Sequence, residues 1–317
     1  MPFEIDMLSV GDADAIIIRC TDQLDEHIIL IDAGNAIDGE KVVNHINNWT
    51  DKSEIDLLIV THAHDDHIGG LPTVLDKITI HEAFIHDPST YAEQIRSLKT
   101  IATREQLEKA TRSLSGLTSV ISRIDSKGIP RREPFTGTTH IMPDGAVLTI
   151  AGPTEEYYSQ LAPRIKAKTV ETEMRADADL VDESDDTDPF NNSSVITVVE
   201  YDGRTYLFTA DAGPASFLSA IASSPVALAD VSWMQIPHHG SKRNVTSILI
   251  DHFCPDIAYV SATGNDSHPN PSVIRLFQKA GCAVYGTYKS GSLHHHRGEL
   301  PPRPGYVTAT PLDENAQ

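Results

Sequence analysis

The sequence predicts an α/β protein in which two packed β-sheets are flanked by helices. Three observations lead there. Each half of the 317-residue chain opens with strands and continues as alternating helix and strand. A clear hairpin signal, Asp202-Gly203, joins two β-rich runs in the second half. The densest polar cluster, His62-Ala63-His64-Asp65-Asp66-His67, directly follows a short apolar run, and the ends of buried strands are where α/β sheets place their sites.

The elements follow in order. Residues 3–34 read as strands, with Ala15–Arg19 and His27–Asp32 rich in Ile and Leu and punctuated by Gly11-Asp12 and Asp32-Ala33-Gly34. Glu40–Thr50 carries Val42, Val43 and Ile46 at helical spacing. Ile55–Val60 is continuously apolar, as a strand buried on both faces should be. A helix with Leu71-Pro72 in its first turn follows the histidine cluster. Over about 90–130, Ile95, Leu98, Ile101, Leu107, Leu114, Leu117, Ile121 and Ile124 mark a helical insertion, broken or hairpin-like. Residues 139–152 return to strand, and about 170–190 is an acidic loop poor in apolar residues. Val195–Tyr201 and Arg204–Phe208 form the hairpin. Helices at Ser216–Ala222, Thr246–His252 and Ser272–Ala280 alternate with strands at Val231–Ile236, Ile257–Ser261 and Val284–Thr287. The triplet His294-His295-His296 reads as a surface loop between glycine-containing neighbours. The whole of 1–317 is expected to form one domain.

Composition narrows the function classes. With 25 Lys and Arg against 45 Asp and Glu the net charge is −20, whose field repels phosphate at long range and works against general nucleic-acid binding. The longest apolar runs, such as Ala15–Ile18 and Leu57–Val60, are strand-sized, so no membrane span is expected. The first residues show no basic n-region or apolar h-region. Cys20, Cys254 and Cys282 are few, odd in number and dispersed, which predicts a reducing, cytoplasmic setting without a disulfide framework.

The chemistry lies in the histidines. Residues i and i+2 of an extended segment point the same way, so His62 and His64 can hold one cation together. If the chain then turns into a helix, Asp66 and His67 sit at its start and can face a second, with Gly69-Gly70 allowing close backbone approach. Asp32, Asp211 and His238-His239 each follow a predicted strand. Alone, either aspartate reads as a helix cap or turn residue; together with the first cluster they make a metal site.

These motifs resemble the metallo-β-lactamase fold superfamily, whose signature has the form His-x-His-x-Asp-His, then a strand-end Asp, then a strand-end His. Within it the chain is most similar to the soluble hydrolase domain of ComEC-type competence proteins and their stand-alone relatives. The shared pieces are Val10–Ala15 with Ile31–Gly34, Thr61–Leu71, Asn191–Val195, Thr209–Asp211, Ile236–Ser241, Gly264-Asn265 and His268-Pro269. The resemblance implies a four-layer αββα sandwich of the metallo-β-lactamase type with a helical insertion, holding two divalent metal ions. It implies His62 and His64 on the first ion, Asp66, His67 and His238 on the second, and Asp211 bridging both. Asp32 would orient a ligand histidine, while His239 and His268 would line the substrate pocket. Asn191 and Asn192 stand where the wider superfamily has a third histidine for the first ion, and an amide oxygen is a poorer zinc ligand, so that site is expected to be the weaker.

The implied function is a dinuclear metal-dependent hydrolase using a hydroxide held between the ions, with Asp66, His239 and His268 as catalytic residues. Mixed His and Asp ligands suit zinc first and manganese second. A phosphodiester, in nucleic acid or a small anionic molecule, is the expected substrate; a lactone, carboxylic ester or thioester is the alternative, and a non-catalytic metal-binding module a third. The insertion is rich in Lys and Arg, including Arg104, Lys109 and Arg112. It reads either as a solvated helical face or as a lid that attracts an anion.

Overall fold

The computed structural model describes residues 3–21, 26–87, 104–143, 145–167, 185–186, 188–265, 267–297 and 306–313. Among these, two seven-stranded sheets pack face to face. The first contains β1 (Phe3–Met7), β2 (Ile16–Thr21), β3 (Glu26–Ile31), β4 (Glu54–Ile59), β5 (Thr79–Phe84), β6 (Arg131–Arg132) and the C-terminal β14 (Leu293–Arg297), in the order β14-β1-β2-β3-β4-β5-β6. The second contains β7 (Thr139–Ile141), β8 (Val147–Gly152), β9 (Ile196–Tyr201), β10 (Arg204–Phe208), β11 (Trp233–Gln235), β12 (Ile257–Val260) and β13 (Ala283–Gly286), in the order β13-β12-β11-β10-β9-β8-β7. In each sheet an antiparallel meander turns into parallel pairing, from β3 to β6 and from β10 to β13. Antiparallel pairs need only tight turns, such as Asp202-Gly203 with both residues at positive φ; parallel pairs need the crossover helices.

Side-chain alternation makes the layers. Ile29 and Ile31 of β3 face the second sheet, where Phe3, Leu57, Phe84, Val199, Tyr206 and Trp233 share one core. Ile28 and Leu30 face outward, against Val42, Val43 and Ile46 of α1 (Gly39–Trp49) and Val74 and Leu75 of α3 (Leu71–Lys77). The second sheet repeats the scheme: Leu207 and Met234 pack beneath α7 (Pro214–Ser223), α8 (Ser247–Phe253) and α9 (Pro271–Lys279) through Phe217, Phe253 and Phe277. The result is the expected αββα sandwich. No helix among the described residues is long and apolar enough to cross a membrane.

Two short helices complete the site's surroundings: α2 (Asp65–Ile68) after β4 and α6 (Pro189–Asn192) before β9. The described part of the insertion is one helix, α4 (Arg104–Ser126), burying Leu117, Val120, Ile121 and Ile124 beside α2 and α3. The side chains of Arg104 and Lys109 lie outside the described residues, as do residues 88–103. Several basic residues of this region are already paired with acids: Arg123 with Asp76, Arg131 with Asp125 and Arg132 with Glu82. Their charge is therefore largely offset locally. Most of the expected acidic loop, 168–184 and 187, also lies outside the described residues; α5 (Glu155–Ala167) precedes it.

One expectation is corrected. His294–His296 is not a surface loop but part of β14, antiparallel to β1 with Asp6 opposite His294 and Glu4 opposite His296. His294 Nε2 donates to Glu4 Oε1 at 2.9 Å, and His295 points inward among Tyr206, Trp233 and Tyr259. The pairing partner lies some 290 residues away, so local sequence carries no trace of it.

Backbone contacts bind the site loops into one unit. Asp14 N donates to Asp66 O, Gly34 N to Asp14 O, Ala33 N to His67 O and Gly70 N to Gly34 O, at 2.8–3.2 Å. A Cβ on Gly70 would sit 2.1 Å from Ala33 O, a contact that backbone cannot relieve cheaply. Gly70→Ala should therefore cost about 2–3 kcal/mol and lower Tm by roughly 3–5 °C in thermal denaturation. An unchanged Tm would mean these loops are not packed as described.

Candidate metal centre

The C-terminal ends of β3, β4, β10 and β11 converge at one edge of the sandwich. His62 and His64 leave β4 on extended backbone, so both rings turn to the same side, with His62 Nε2 3.2 Å from His64 Nδ1. The other nitrogen of His62 lies 3.2 Å from Thr61 Oγ1 and 3.3 Å from Ser194 Oγ, which leaves Nε2 for the site. α2 then presents Asp66 and His67. Asp32, at the end of β3, faces no open space: its Oδ1 accepts from Thr61 N at 2.9 Å, and its Oδ2 accepts from Thr61 Oγ1 at 2.5 Å and His67 Nδ1 at 2.7 Å. His67 Nε2 is thereby directed into the site, where it is buried without a hydrogen bond.

Asp211 comes from the second sheet, three residues beyond the end of β10. Its Oδ2 lies 3.7 Å from His62 Nε2 and 3.6 Å from His238 Nε2; its Oδ1 lies 3.3 Å from His67 Nε2 and 3.9 Å from His239 Nε2. None of these contacts has hydrogen-bond geometry, and both oxygens are buried.

After β11, His238 and His239 both adopt positive φ, 48° and 53°, so they do not alternate as strand residues would. His239 is the buried one, with 2% of its side chain exposed. Its Nδ1 donates to Ser261 O at 3.0 Å, and its Nε2 sits 3.3 Å from Asp66 Oδ2. His238 is 25% exposed, and its Nδ1 lies 3.1 Å from Asp186 Oδ2 and 3.0 Å from Asn244 Oδ1. Two groups thus have donor atoms within 4.8 Å of one another: His62, His64 and Asp211; and His67, Asp211 and His239 together with Asp14. His239 belongs to the second group; His238 does not.

The remaining predicted residues lie at the margins. His268 is 25% exposed, its ring 5.8 Å from that of His238 and 6.0 Å from that of His239, with Asp12 Oδ2 3.6 Å from its Nδ1. Asn192 is taken up structurally: Oδ1 accepts from Ser216 Oγ and Nδ2 donates to Asp186 O. Asn191 donates to Asp186 at 2.7 Å, leaving its Oδ1 buried without a hydrogen bond. Sequence reasoning gave no role to Asp14, although it lies in the shared Val10–Ala15 piece, and missed Asp186, Gln235 and Asn244; each resembles an ordinary loop or strand-end polar residue. It also missed His86, just beyond β5. That ring is buried against Tyr158 and Phe135 with neither nitrogen hydrogen-bonded, and burial pushes it down to about 3.

The field of the site favours cations. Burial opposes the charge of Asp211, yet His238, His67 and His239 hold its carboxyl well below the ordinary value. Burial likewise opposes protonation of His67, but Asp211, Asp66 and Asp32 raise it well above 6.5. His239 is raised to about 9 against burial by its hydrogen bond to Asp66 and by Asp14 and Asp211. A cation set between these imidazoles and carboxylates would take over what the protons do and satisfy the orphaned atoms His67 Nε2 and Asp211 Oδ1 and Oδ2. The residues therefore fit a divalent metal.

The raised histidines fix a sign. Stability gained from protonating them in the folded, metal-free chain is fully present below pH 6.5 and is lost as pH climbs toward 9. Tm of the metal-free protein should fall between pH 6.5 and 9, and added metal should remove much of that slope. A flat profile in the metal-free state would contradict the arrangement.

A model of the metallo-β-lactamase superfamily matches residues 9–264. The ComE operon protein 3 of Bacillus subtilis (strain 168) is 23% identical over 314 residues, covering 92% of this chain but only 33% of its own length. The chain thus spans about a third of that relative. Among solved structures, the metallo-β-lactamase fold protein YhfI of Bacillus subtilis aligns with a TM-score of 0.51 at 10% identity, over 94% of this chain and all of that one.

Proposed function

This chain belongs to the metallo-β-lactamase superfamily, and from that premise we propose that it is a dinuclear metal-dependent hydrolase that cleaves a phosphodiester. The observation that carries the reading is Asp211. Its two buried oxygens face separate imidazole sets and neither makes a hydrogen bond, as a carboxylate shared by two cations requires. His62, His64 and Asp211 would hold one ion; Asp66, His67, Asp211 and His239 the other. Bound there, divalent ions would supply Lewis acidity and lower the pKa of water.

The chain's own residues then divide the work. Asp32 and Ser261 orient His67 and His239 through their Nδ1 atoms, which leaves each Nε2 for the ion. The geometry favours exchanging the roles first expected of the two adjacent histidines. His239 stands with the ligands, while His238 stands at the open side beside His268 and the 31%-exposed Asp66. The pKa of His238 is raised against burial by Asp211 and by its hydrogen bond to Asp186. With Asp186 Oδ2 accepting from its Nδ1, His238 is held so that an Nε2–H can donate to an anionic substrate oxygen. Protonated His238, with His268 next to it, gives the mouth donors suited to a phosphodiester despite the chain's net charge.

Metal content and hydrolysis of a small panel test this: bis(p-nitrophenyl) phosphate, a phosphomonoester, a lactone, and single- and double-stranded DNA. Asp211→Ala should lose both metal and turnover. His239→Ala should drop from about two bound ions to one. His238→Ala should retain both ions while kcat on the phosphodiester falls by about 10²–10⁴-fold. Full metal and turnover in Asp211→Ala would refute the site, a preference for the lactone would refute the substrate, and loss of an ion in His238→Ala would restore that residue as a ligand.

A further inference from the structure

Asp14 is a buried carboxylate to which neither the family signature nor the spacing of the motifs assigns a role. It lies between β1 and β2, in a loop that turns at Gly11, whose φ is +81°. Its backbone is pinned on both sides, N–H to Asp66 O at 3.2 Å and C=O to Gly34 N at 2.8 Å. Its side chain is aimed by Gln235, whose Nε2 donates to Asp14 Oδ2 at 2.7 Å. Gln235 has no freedom to turn over. Its Oε1 accepts from Thr209 N at 3.0 Å and Ala210 N at 3.1 Å, so its amide NH2 must face Asp14. One side chain therefore ties Asp14 to the two residues immediately before Asp211.

The other oxygen, Asp14 Oδ1, is buried and has no hydrogen bond. Asp14 belongs to a group in which Asp14, His67, Asp211 and His239 each bring a donor atom within 4.8 Å of the rest. In that group His67 Nε2 and Asp211 Oδ1 are orphaned in the same way. A carboxylate placed among orphaned ligand atoms, with its own free oxygen, is costly unless a cation completes the set.

Resting on the two-cation reading above, we propose that Asp14 is a further protein ligand to the ion held by Asp66, His67, Asp211 and His239. That position then has three carboxylates and two imidazoles. The other has two imidazoles and the second oxygen of Asp211. Oxygen-rich sets favour harder ions, so the two positions differ in preference: manganese at the Asp14 position, zinc at the His62–His64 position.

The test is direct titration of the metal-free chain with Mn2+, following free Mn2+ by electron paramagnetic resonance, with separate Zn2+ titrations by competition against a chromophoric chelator. Asp14→Asn keeps the shape of the side chain and should weaken the tighter Mn2+ site by about 10–100-fold, while Zn2+ at the His62–His64 position changes by less than about threefold. Unchanged Mn2+ affinity would overturn the proposal. If Asp14→Asn does not fold, the anomalous map of Mn2+-loaded wild-type crystals decides. An Asp14 Oδ1–metal distance of about 2.0–2.6 Å supports it, and one beyond about 3.5 Å overturns it. Asp211→Ala separates the two levels. If it retains both ions, the two-cation reading itself fails. If it loses them while Asp14→Asn binds like wild type, only the role of Asp14 falls.

Discussion

The charge on Asp211 organises everything around it. An ionised carboxylate buried in the seam between two apolar sheets is among the costliest things a fold can hold without compensation. Here the compensation comes from both sheets: His67 from α2 at the edge of the first, His238 and His239 from the loop after β11 of the second. Each of these rings depends in turn on a partner behind it. Asp32 fixes His67, Ser261 O fixes His239, and Asp186 with Asn244 fixes His238. Removing any of these supports leaves a ring free to turn and the carboxylate less well matched.

Such inward aim is not what strands do by default. A strand delivers alternate residues to opposite faces, whereas the site needs several consecutive groups to meet at one edge. The chain meets that need with left-handed backbone at non-glycine residues: Asp32, Ala210, His238 and His239 all have positive φ. Each such residue is strained by of order 1–3 kcal/mol. Local hydrogen bonds hold the strained backbone in place, Asp32 N to Ile59 O and His238 N to Ala210 O, both at 3.0 Å. Of the seven described non-glycine residues with positive φ, these four lie at the site; the others, Asp202, Asp230 and Cys254, lie in turns and at a helix end.

This explains what could be read from the sequence. Elements set by local periodicity were legible: the Ile and Leu alternation of β3, the amphipathic α1 and α9, the Asp202-Gly203 hairpin and the extended His62–His64 pair. The partner of β14 was not, because pairing across the whole chain leaves no local mark. Nor was the difference in burial between His238 and His239. Two successive left-handed residues break the alternation from which inward and outward would be inferred. Asp14 stood within the shared Val10–Ala15 piece but without a role, because a carboxylate in a glycine-containing loop looks like a turn residue, and only Gln235, more than 200 residues later, gives it a direction.

The two halves of the fold contribute unequally, and that inequality bears on how the site holds together. The first half brings His62, His64, Asp66, His67 and Asp14; the second brings Asp211 and His239. Neither half can complete a cation position by itself, because Asp211 is common to both groups. Cations at this edge would therefore cross-link the sheets at the end where strand pairing has already stopped. The interior of the sandwich is held mainly by apolar contact, among Ile29, Leu57, Val199, Tyr206 and Trp233, with a few polar contacts between the sheets such as His27 to His140 and Tyr259 to His294 O. Apolar contact is nondirectional and tolerates small sliding of one sheet over the other. Coordination and oriented hydrogen bonds are directional. The oriented contacts at the site, Gln235 to Asp14 and Val195 N to Thr61 O among them, therefore tie the two sheets together where the chemistry needs their ends to meet.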